Sequence, residues 1–229
     1  MRIVLVSDTH GLHESLRIPE GDVLIHAGDL TASGRPEELA VAAKWLDSLP
    51  HHYKIVVAGN HDLLFERSPS LAKEIMRGAG ATYLQDSGTR IEGLSAYGSP
   101  WQPEFMHWAF NVSRGELSRY WDQIPCGLDL LITHGPPYGI LDQKVPAAMR
   151  KNASWEQEEP FAGSDHVGCE ELLAAVQRVK PRVHVFGHIH GGYGTARDES
   201  TTFYNASLCN ERYEPINAPW VIDIRPLQP

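Results

Sequence analysis

Five short apolar runs rich in β-branched residues recur along this chain, and each ends in a cluster of polar, metal-type side chains. Residues 3–7 lead into Asp8-Thr9-His10, 23–27 into Gly28-Asp29, and 55–58 into Gly59-Asn60-His61-Asp62. Residues 128–132 lead into Thr133-His134-Gly135, and 183–186 into Gly187-His188-Ile189-His190. Continuous apolar runs of about five residues read as strands buried on both faces, the habit of parallel sheets. Side chains at the ends of neighbouring strands in such sheets point into one crevice. The pattern therefore predicts an α/β fold that gathers residues far apart in sequence at a single site.

The intervening text supplies the helices. Residues 36–49 read as one: Pro36 suits the first turn, Glu37 and Glu38 its positive end, and Leu39, Ala42, Ala43 and Leu46 make an apolar stripe stopped by Pro50. A second helix is expected over 70–77, ended by Gly78 and Gly80. A third is expected over 113–123, with Ser113 as cap and Glu116 behind it. A fourth is expected over 165–180, with Asp165 as cap and Cys169, Leu172, Leu173, Val176 and Val179 as its buried face. Residues 82–97 read as a β-meander, and 193–196, 202–205 and 221–224 as later strands. The long, proline-containing stretch 135–164 is either a binding loop or a surface excursion.

Length and charge narrow the partners. A chain of 229 residues fits one large α/β domain or two small ones, and with no linker visible residues 1–229 are read as a single domain. The net charge of -9, from 29 acidic against 20 basic residues, argues against binding long nucleic acids, which need a basic surface. Cys126, Cys169 and Cys209 form neither a CxxC site nor a disulfide framework. The first apolar run is too short for a secretory signal, and no stretch approaches the roughly 18 apolar residues of a membrane span. The expectation is a cytoplasmic protein without a membrane segment.

The clusters contain seven plausible metal ligands: Asp8, His10, Asp29, Asn60, His134, His188 and His190. Two carboxylates, one amide oxygen and four imidazoles suit Mn²⁺, Fe or Zn²⁺ better than Ca²⁺ or a structural zinc. Seven is too many for one ion with an open position, but fits two ions that share a carboxylate, with Asp29 as the bridge. Asp8 and His10, like His188 and His190, stand at i and i+2, on one side of an extended segment. Glycines 28, 59, 135, 187, 191 and 192 would let the chain turn sharply beside the ions.

Several other residues have plainer readings. Asp62 caps a turn rather than orienting His61. His26 and His184, inside strand runs, are hydrogen-bonded structural residues, with His26 a candidate partner of Asp29. His51 and His52 belong to a solvated loop. Trp101, Phe105, Trp108 and Phe110 read as a packed wall before a stacking platform. Lys144, Arg150 and Lys151 are loop cations that need no ligand. Asn205-Ala206-Ser207 either lines the site or caps a turn.

The order Asp-x-His, Gly-Asp, Gly-Asn-His-Asp, Thr-His-Gly and Gly-His-x-His resembles the calcineurin-like metallophosphoesterase superfamily. The stretches Tyr97-Gly98-Ser99-Pro100-Trp101-Gln102-Pro103, Trp108-Ala109-Phe110-Asn111 and Thr133-His134-Gly135-Pro136-Pro137 are similar to its metallophosphodiesterase subfamily, which includes the mammalian metallophosphoesterase-domain proteins. The resemblance runs from about residue 3 to 224. It implies a β-sandwich flanked by helices, with a two-metal site at the strand ends. Asp8, His10 and His190 would hold one ion; Asn60, His134 and His188 the other; Asp29 would bridge. His61 would bind no metal and act beside the phosphate, with Asn60 also touching substrate. Two ions roughly 3.5–4 Å apart acidify a water between them, and the resulting hydroxide attacks phosphorus in line.

The activity so implied is a two-metal phosphodiesterase, with Mn the expected metal and Fe or Zn as alternatives. Its substrates would be small phosphodiesters, with 2′,3′-cyclic nucleotides favoured. A phosphomonoesterase or protein phosphatase, and a nuclease acting on DNA ends, use the same core. The absence of arginine from the clusters tilts against monoesters, which usually require extra cations. A non-catalytic scaffold would have lost ligands, and none is missing here.

Overall fold

The computed structural model describes residues 1–144 and 166–226. The chain begins with strand β1 (Arg2–Val6), β2 (Val23–His26), helix α1 (Pro36–Ser48), β3 (Tyr53–Val56), α2 (Leu63–Arg67), α3 (Pro69–Gly78) and β4 (Ala81–Tyr83). Then come β5 (Ser87–Ile91), β6 (Leu94–Ser99), the short pair β7 (Gln102–Pro103) and β8 (Asn111–Val112), α4 (Ser118–Trp121) and β9 (Leu130–Thr133). The last elements are α5 (Glu170–Val179), β10 (Val183–Phe186), β11 (Gly194–Arg197), β12 (Thr202–Asn205) and β13 (Trp220–Asp223).

These strands build two main sheets, in the orders β13-β1-β2-β3-β4 and β11-β12-β10-β9-β6-β5. The central pairings β1–β2–β3–β4 and β6–β9–β10–β12 are all parallel. Strand alternation assigns the layers. Ile3, Leu5, Val23 and Ile25 meet Ala96, Leu130, Ile132, Val183 and Val185 between the sheets. The intervening Val4, Val6 and Leu24 face outward onto Leu39, Ala42 and Leu46 of α1 and Ala72 and Met76 of α3. On the far side, Leu131, Phe186 and Phe203 pack on Trp121 of α4 and on Leu172, Val176 and Val179 of α5. The result is the expected β-sandwich flanked by helices. Each fully buried aliphatic side chain in these layers contributes about 1.5–3 kcal/mol of transfer free energy.

Register aligns the carboxyl ends. Val6, His26 and Val56 lie side by side, as do Gly98, Ile132 and Val185. A bridge joins the two sheets at this edge: the Ser7 N–H donates to the Ala206 carbonyl at 2.8 Å, and the Leu208 N–H to the Ser7 carbonyl at 2.9 Å. All five polar clusters therefore emerge at one end of the sandwich.

Some local expectations change. Residues 82–97 are not a meander: β4 closes the first sheet, whereas β5 and β6 form a hairpin in the second. The expected helix over 113–123 is a single 3₁₀ turn (Arg114–Glu116) followed by the short α4; Gly115 makes a poor helix interior. Helix α5 starts at Glu170, with Cys169 as its cap; the thiol sulfur accepts the Leu172 N–H at 3.3 Å. Asp165, Arg150, Lys151 and most of the 135–164 stretch lie outside the described residues. His51 is buried rather than solvated, while His52 is exposed. Among the described residues, no helix is long and apolar enough to cross a membrane.

Candidate metal centre

Asp8 and His10 follow β1, Asp29 follows β2, Asn60 and His61 follow β3, His134 follows β9, and His188 and His190 follow β10. The structure brings all of them together. His190 Nε2 lies 3.3 Å from Asp8 Oδ1 and 3.2 Å from His10 Nε2. Asn60 Oδ1 lies 2.9 Å from both His134 Nε2 and His188 Nδ1. Asp29 Oδ2 stands between the two sets, 3.8 Å from His10 Nε2 and 3.4 Å from His134 Nε2. One oxygen of Asp29 thus faces both groups, while Oδ1 accepts the His61 N–H at 2.8 Å.

The backbone is held in an unusual shape to achieve this. Asp8, His10, Asp29 and His188 all take left-handed φ, between 44° and 67°. Each costs a non-glycine residue of order 1–3 kcal/mol. Hydrogen bonds hold them there: Asp8 N–H donates to the Gly28 carbonyl at 2.9 Å, and His10 N–H to the Asp29 carbonyl at 3.0 Å. The His188 N–H donates to the Asp8 carboxylate at 3.1 Å. Asp8 and His10 therefore join one group, as expected, but not along an extended segment. His188 and His190 serve different groups, because the left-handed residue turns the chain between them. Gly59 and Gly187 are required for space more than for turning. A Cβ at Gly59 would overlap the Asp29 carboxylate, and one at Gly187 would overlap the Asp8 carboxylate and the Ser7 hydroxyl.

The donor set fits divalent cations. The His134 Nδ1–H donates to the Ala27 carbonyl at 2.9 Å, and the His190 Nδ1–H to the Asn210 carbonyl at 2.8 Å. In neutral rings both Nε2 atoms then carry lone pairs aimed at other acceptors, an arrangement that calls for a cation. With protein charges alone the cation would be a proton. Burial opposes a charge on His134, but the Asp29 carboxylate overrides it and takes the pKa up to about 9. Burial likewise opposes ionisation of Asp8, but the His190 hydrogen bond and charge hold it well below the usual carboxylate range. His10 and His188 are pushed down, to about 4 and about 3, chiefly by burial, so both rings are neutral at neutral pH, the form a metal ligand requires. His61 also falls within 4.8 Å of His10 and Asp29, close enough to join a ligand set. Its Nδ1–H, however, donates to the Ala32 carbonyl at 2.7 Å.

The remaining residues sort clearly. Asp62 neither orients His61 nor caps the turn that follows it: its side chain makes no cap hydrogen bond to α2. Its carboxylate instead accepts the N–H groups of Gly59, Leu30 and Thr31 and the Thr31 hydroxyl, tying the loop after β3 to the loop after β2, and the Ala32 carbonyl orients His61. Ser207 touches the site, with its hydroxyl 2.8 Å from both Asp8 Oδ2 and Asn205 Oδ1, and Asn205 Nδ2 donates to the Ile189 carbonyl at 2.8 Å. The aromatic run divides: Phe110 is core, whereas Trp108 stacks on His61 at 4.1 Å and Phe105 lines the site.

A cavity of about 300 Å³ adjoins Asp29, Asn60, His61, His188 and His190. Its walls include Phe105, Met106, Trp108, Pro136, Val167 and Tyr213, with Arg114, Lys144, Glu104 and Glu211 among them. Tyr213 lies edge-on to His10, with ring centroids 4.7 Å apart. Tyr213 and Arg114 carried no sequence signal, since neither belongs to a cluster.

The strand histidines behind the site predict a pH dependence. Burial pushes His184 down to about 3. The unfolded chain takes up this proton near pH 6.5 and the folded chain only near 3, so stability is complete above 6.5 and is lost as pH falls through this window, at up to about 1.4 kcal/mol per pH unit. Urea unfolding in chelator between pH 6 and 4 should show His184→Gln with a shallower slope than wild type by up to one proton. Equal slopes would mean that His184 is protonated in the native state.

Comparisons with known proteins agree with this geometry. A family model described as calcineurin-like phosphoesterase matches residues 1–192. The chain is 46% identical over 246 residues to human metallophosphoesterase domain-containing protein 1, covering 97% of this chain and 71% of that protein. It is 39% identical to a UPF0046 protein of Caenorhabditis elegans, covering 100% of this chain and 82% of the relative. Phosphopantetheinyl hydrolase from Mycobacterium tuberculosis shares the fold at a TM-score of 0.56 and 17% identity, over 92% of this chain and 90% of that one. The protein TT1561 of Thermus thermophilus does so at 0.57 and 13%, over 89% and 88%. With candidate metal-binding side chains at the strand ends in two groups around one carboxylate, and a family model spanning most of its length, the chain belongs to the calcineurin-like phosphoesterases, a family of metal-dependent phosphoesterases.

Proposed function

We propose that this protein is a two-metal phosphodiesterase for small phosphodiesters, with 2′,3′-cyclic nucleotides the first class to test. The observation that carries the reading is the cavity of about 300 Å³ beside both ligand groups. Its largely apolar walls suit a second organic substituent on phosphorus, which a diester has and a monoester lacks.

In this reading Asp8, His10 and His190 would hold one ion and Asn60, His134 and His188 the other, with Asp29 Oδ2 facing both groups. When bound, the ions supply positive charge to the phosphoryl oxygens and acidify a water. Manganese is the metal to try first, with iron and zinc next. Asn60 and His61 contact the phosphate. Because the Ala32 carbonyl occupies Nδ1–H of His61, Nε2 is the nitrogen left for the leaving oxygen, and the ring passes a proton from it as an imidazolium, returning to the neutral Nδ1–H form. Trp108 keeps that ring upright by stacking on it.

One observation favours a phosphomonoesterase: Arg114 and Lys144 line the cavity, which weakens the argument from arginine-free clusters. Glu104 and Glu211 on the same wall offset them in formal charge, and two carbonyls, of Val167 and Gly168, accept from the Arg114 guanidinium.

The test compares Mn²⁺-dependent hydrolysis of an aryl phosphodiester and the matching monoester, in wild type and His61→Ala. A diester preference is expected, with the variant slower by about 10²-fold or more and hurt most with poor leaving groups. A monoester preference would indicate a phosphatase. No hydrolysis with any divalent metal would favour the scaffold reading.

A further inference from the structure

Behind the two ligand groups lie two buried threonine–histidine pairs that the mechanism does not use. Thr9 stands between the ligands Asp8 and His10, and Thr133 precedes His134. Each is fully buried, and each is met by a histidine of the neighbouring parallel strand. Thr9 Oγ1 is 3.0 Å from His26 Nε2 and 3.1 Å from His13 Nε2. Thr133 Oγ1 is 2.9 Å from His184 Nε2 and donates to the Gly135 carbonyl at 2.7 Å.

Tautomers give these contacts a direction. His26 Nδ1 accepts the Gly28 N–H at 3.3 Å, so its proton sits on Nε2 and is donated to Thr9. Thr133 gives its single hydroxyl proton to Gly135, so it can only accept from His184 Nε2–H. The strand histidines are rigid, for both sit in strands with no exposed surface. The residues they hold are not regular strand: Asp8 and His10 flank Thr9 in left-handed conformations that local backbone preference opposes. A hydroxyl anchored to an adjacent strand supplies the missing restraint.

We propose that Thr9 and Thr133 are positioning residues acting on separate ions: the Thr9–His26 contact sets the Asp8/His10 group, and the Thr133–His184 contact sets the His134 group. This rests on the two-ion reading above. Outer partners of metal ligands typically change affinity by about 10–100-fold. The two struts should therefore fail independently.

The experiment is equilibrium dialysis of the chelator-stripped full chain against Mn²⁺, with bound metal measured directly. Wild type should bind two ions. Thr9→Val and Thr133→Val should each weaken one ion by about 10–100-fold and leave the other unchanged, whereas Thr9→Ser and Thr133→Ser should retain both. Backgrounds assign the site. In His188→Ala, which keeps the Asp8/His10/His190 group, Thr9→Val should weaken the remaining ion and Thr133→Val should not. In His10→Ala the order should reverse.

Circular dichroism melting in chelator identifies any valine variant unfolded at the assay temperature; for it, His26→Leu or His184→Leu carries the same comparison. Valine variants that bind two ions as wild type does, or that weaken both ions equally, overturn the proposal. A wild type that binds fewer than two ions overturns the two-ion reading itself, and this inference with it.

Discussion

Asp29→Asn is expected to lower hydrolysis by roughly 10³- to 10⁴-fold and to reduce bound metal below one ion per chain. Asp29 Oδ2 faces both groups, 3.8 Å from His10 Nε2 and 3.4 Å from His134 Nε2. On the proposed two-ion reading, loss of its charge would weaken both ions, which together would supply several kcal/mol of transition-state stabilisation, at about 1.4 kcal/mol per decade of rate. The same charge is what raises the His134 pKa against burial. Asparagine should therefore let that imidazole titrate at lower pH, a shift that NMR of the chelated variant would detect. Its oxygen can still accept the His61 N–H at the Oδ1 position, so the fold should survive. Retention of two tightly bound ions by the variant would remove Asp29 from the bridging position.

Gly187→Ala should be nearly as damaging, by a steric route. The added Cβ would overlap the Asp8 carboxylate and the Ser7 side chain. Ser7 is part of the bridge that ties the two sheets at their carboxyl ends, and Asp8 accepts from the His188 N–H and the Ser207 hydroxyl. Relief of the clash requires backbone movement in a buried, close-packed region, at about 1–3 kcal/mol or more. A thermal melt in chelator should show the loss of stability. Hydrolysis should fall by more than that loss implies, because the displaced carboxylate is one of the proposed ligands. A variant with wild-type melting temperature and activity would show that strand β10 can shift freely at its end.

The architecture was legible because burial on both faces leaves a chemical trace. Residues 3–6, 23–27, 55–58, 130–132 and 183–186 are apolar at nearly every position, and parallel strands inside a layered sandwich are the structure that uses such runs. The same logic located the seven candidate ligands and His61, since polar residues directly after buried strands emerge at a sheet end. It could not say that Asp8, His10, Asp29 and His188 would leave extended geometry, because left-handed φ at non-glycine residues opposes local preference and is enforced by long-range hydrogen bonds.

What the sequence determined by itself was therefore the strand-rich α/β class, the strand-end location of the site and the chemical type of its donors. All three follow from hydrophobic periodicity and residue identity, which are local properties. The family resemblance implied which histidine joins which group, but only the tertiary structure decided which nitrogen each presents and that Trp108, Arg114 and Tyr213 wall the cavity. The carbonyls of Ala27, Ala32 and Asn210 choose the free nitrogens of His134, His61 and His190. Every residue has a backbone carbonyl, so no sequence pattern reveals which one will lie within hydrogen-bond reach of an imidazole; that is settled when two sheets close on a common core.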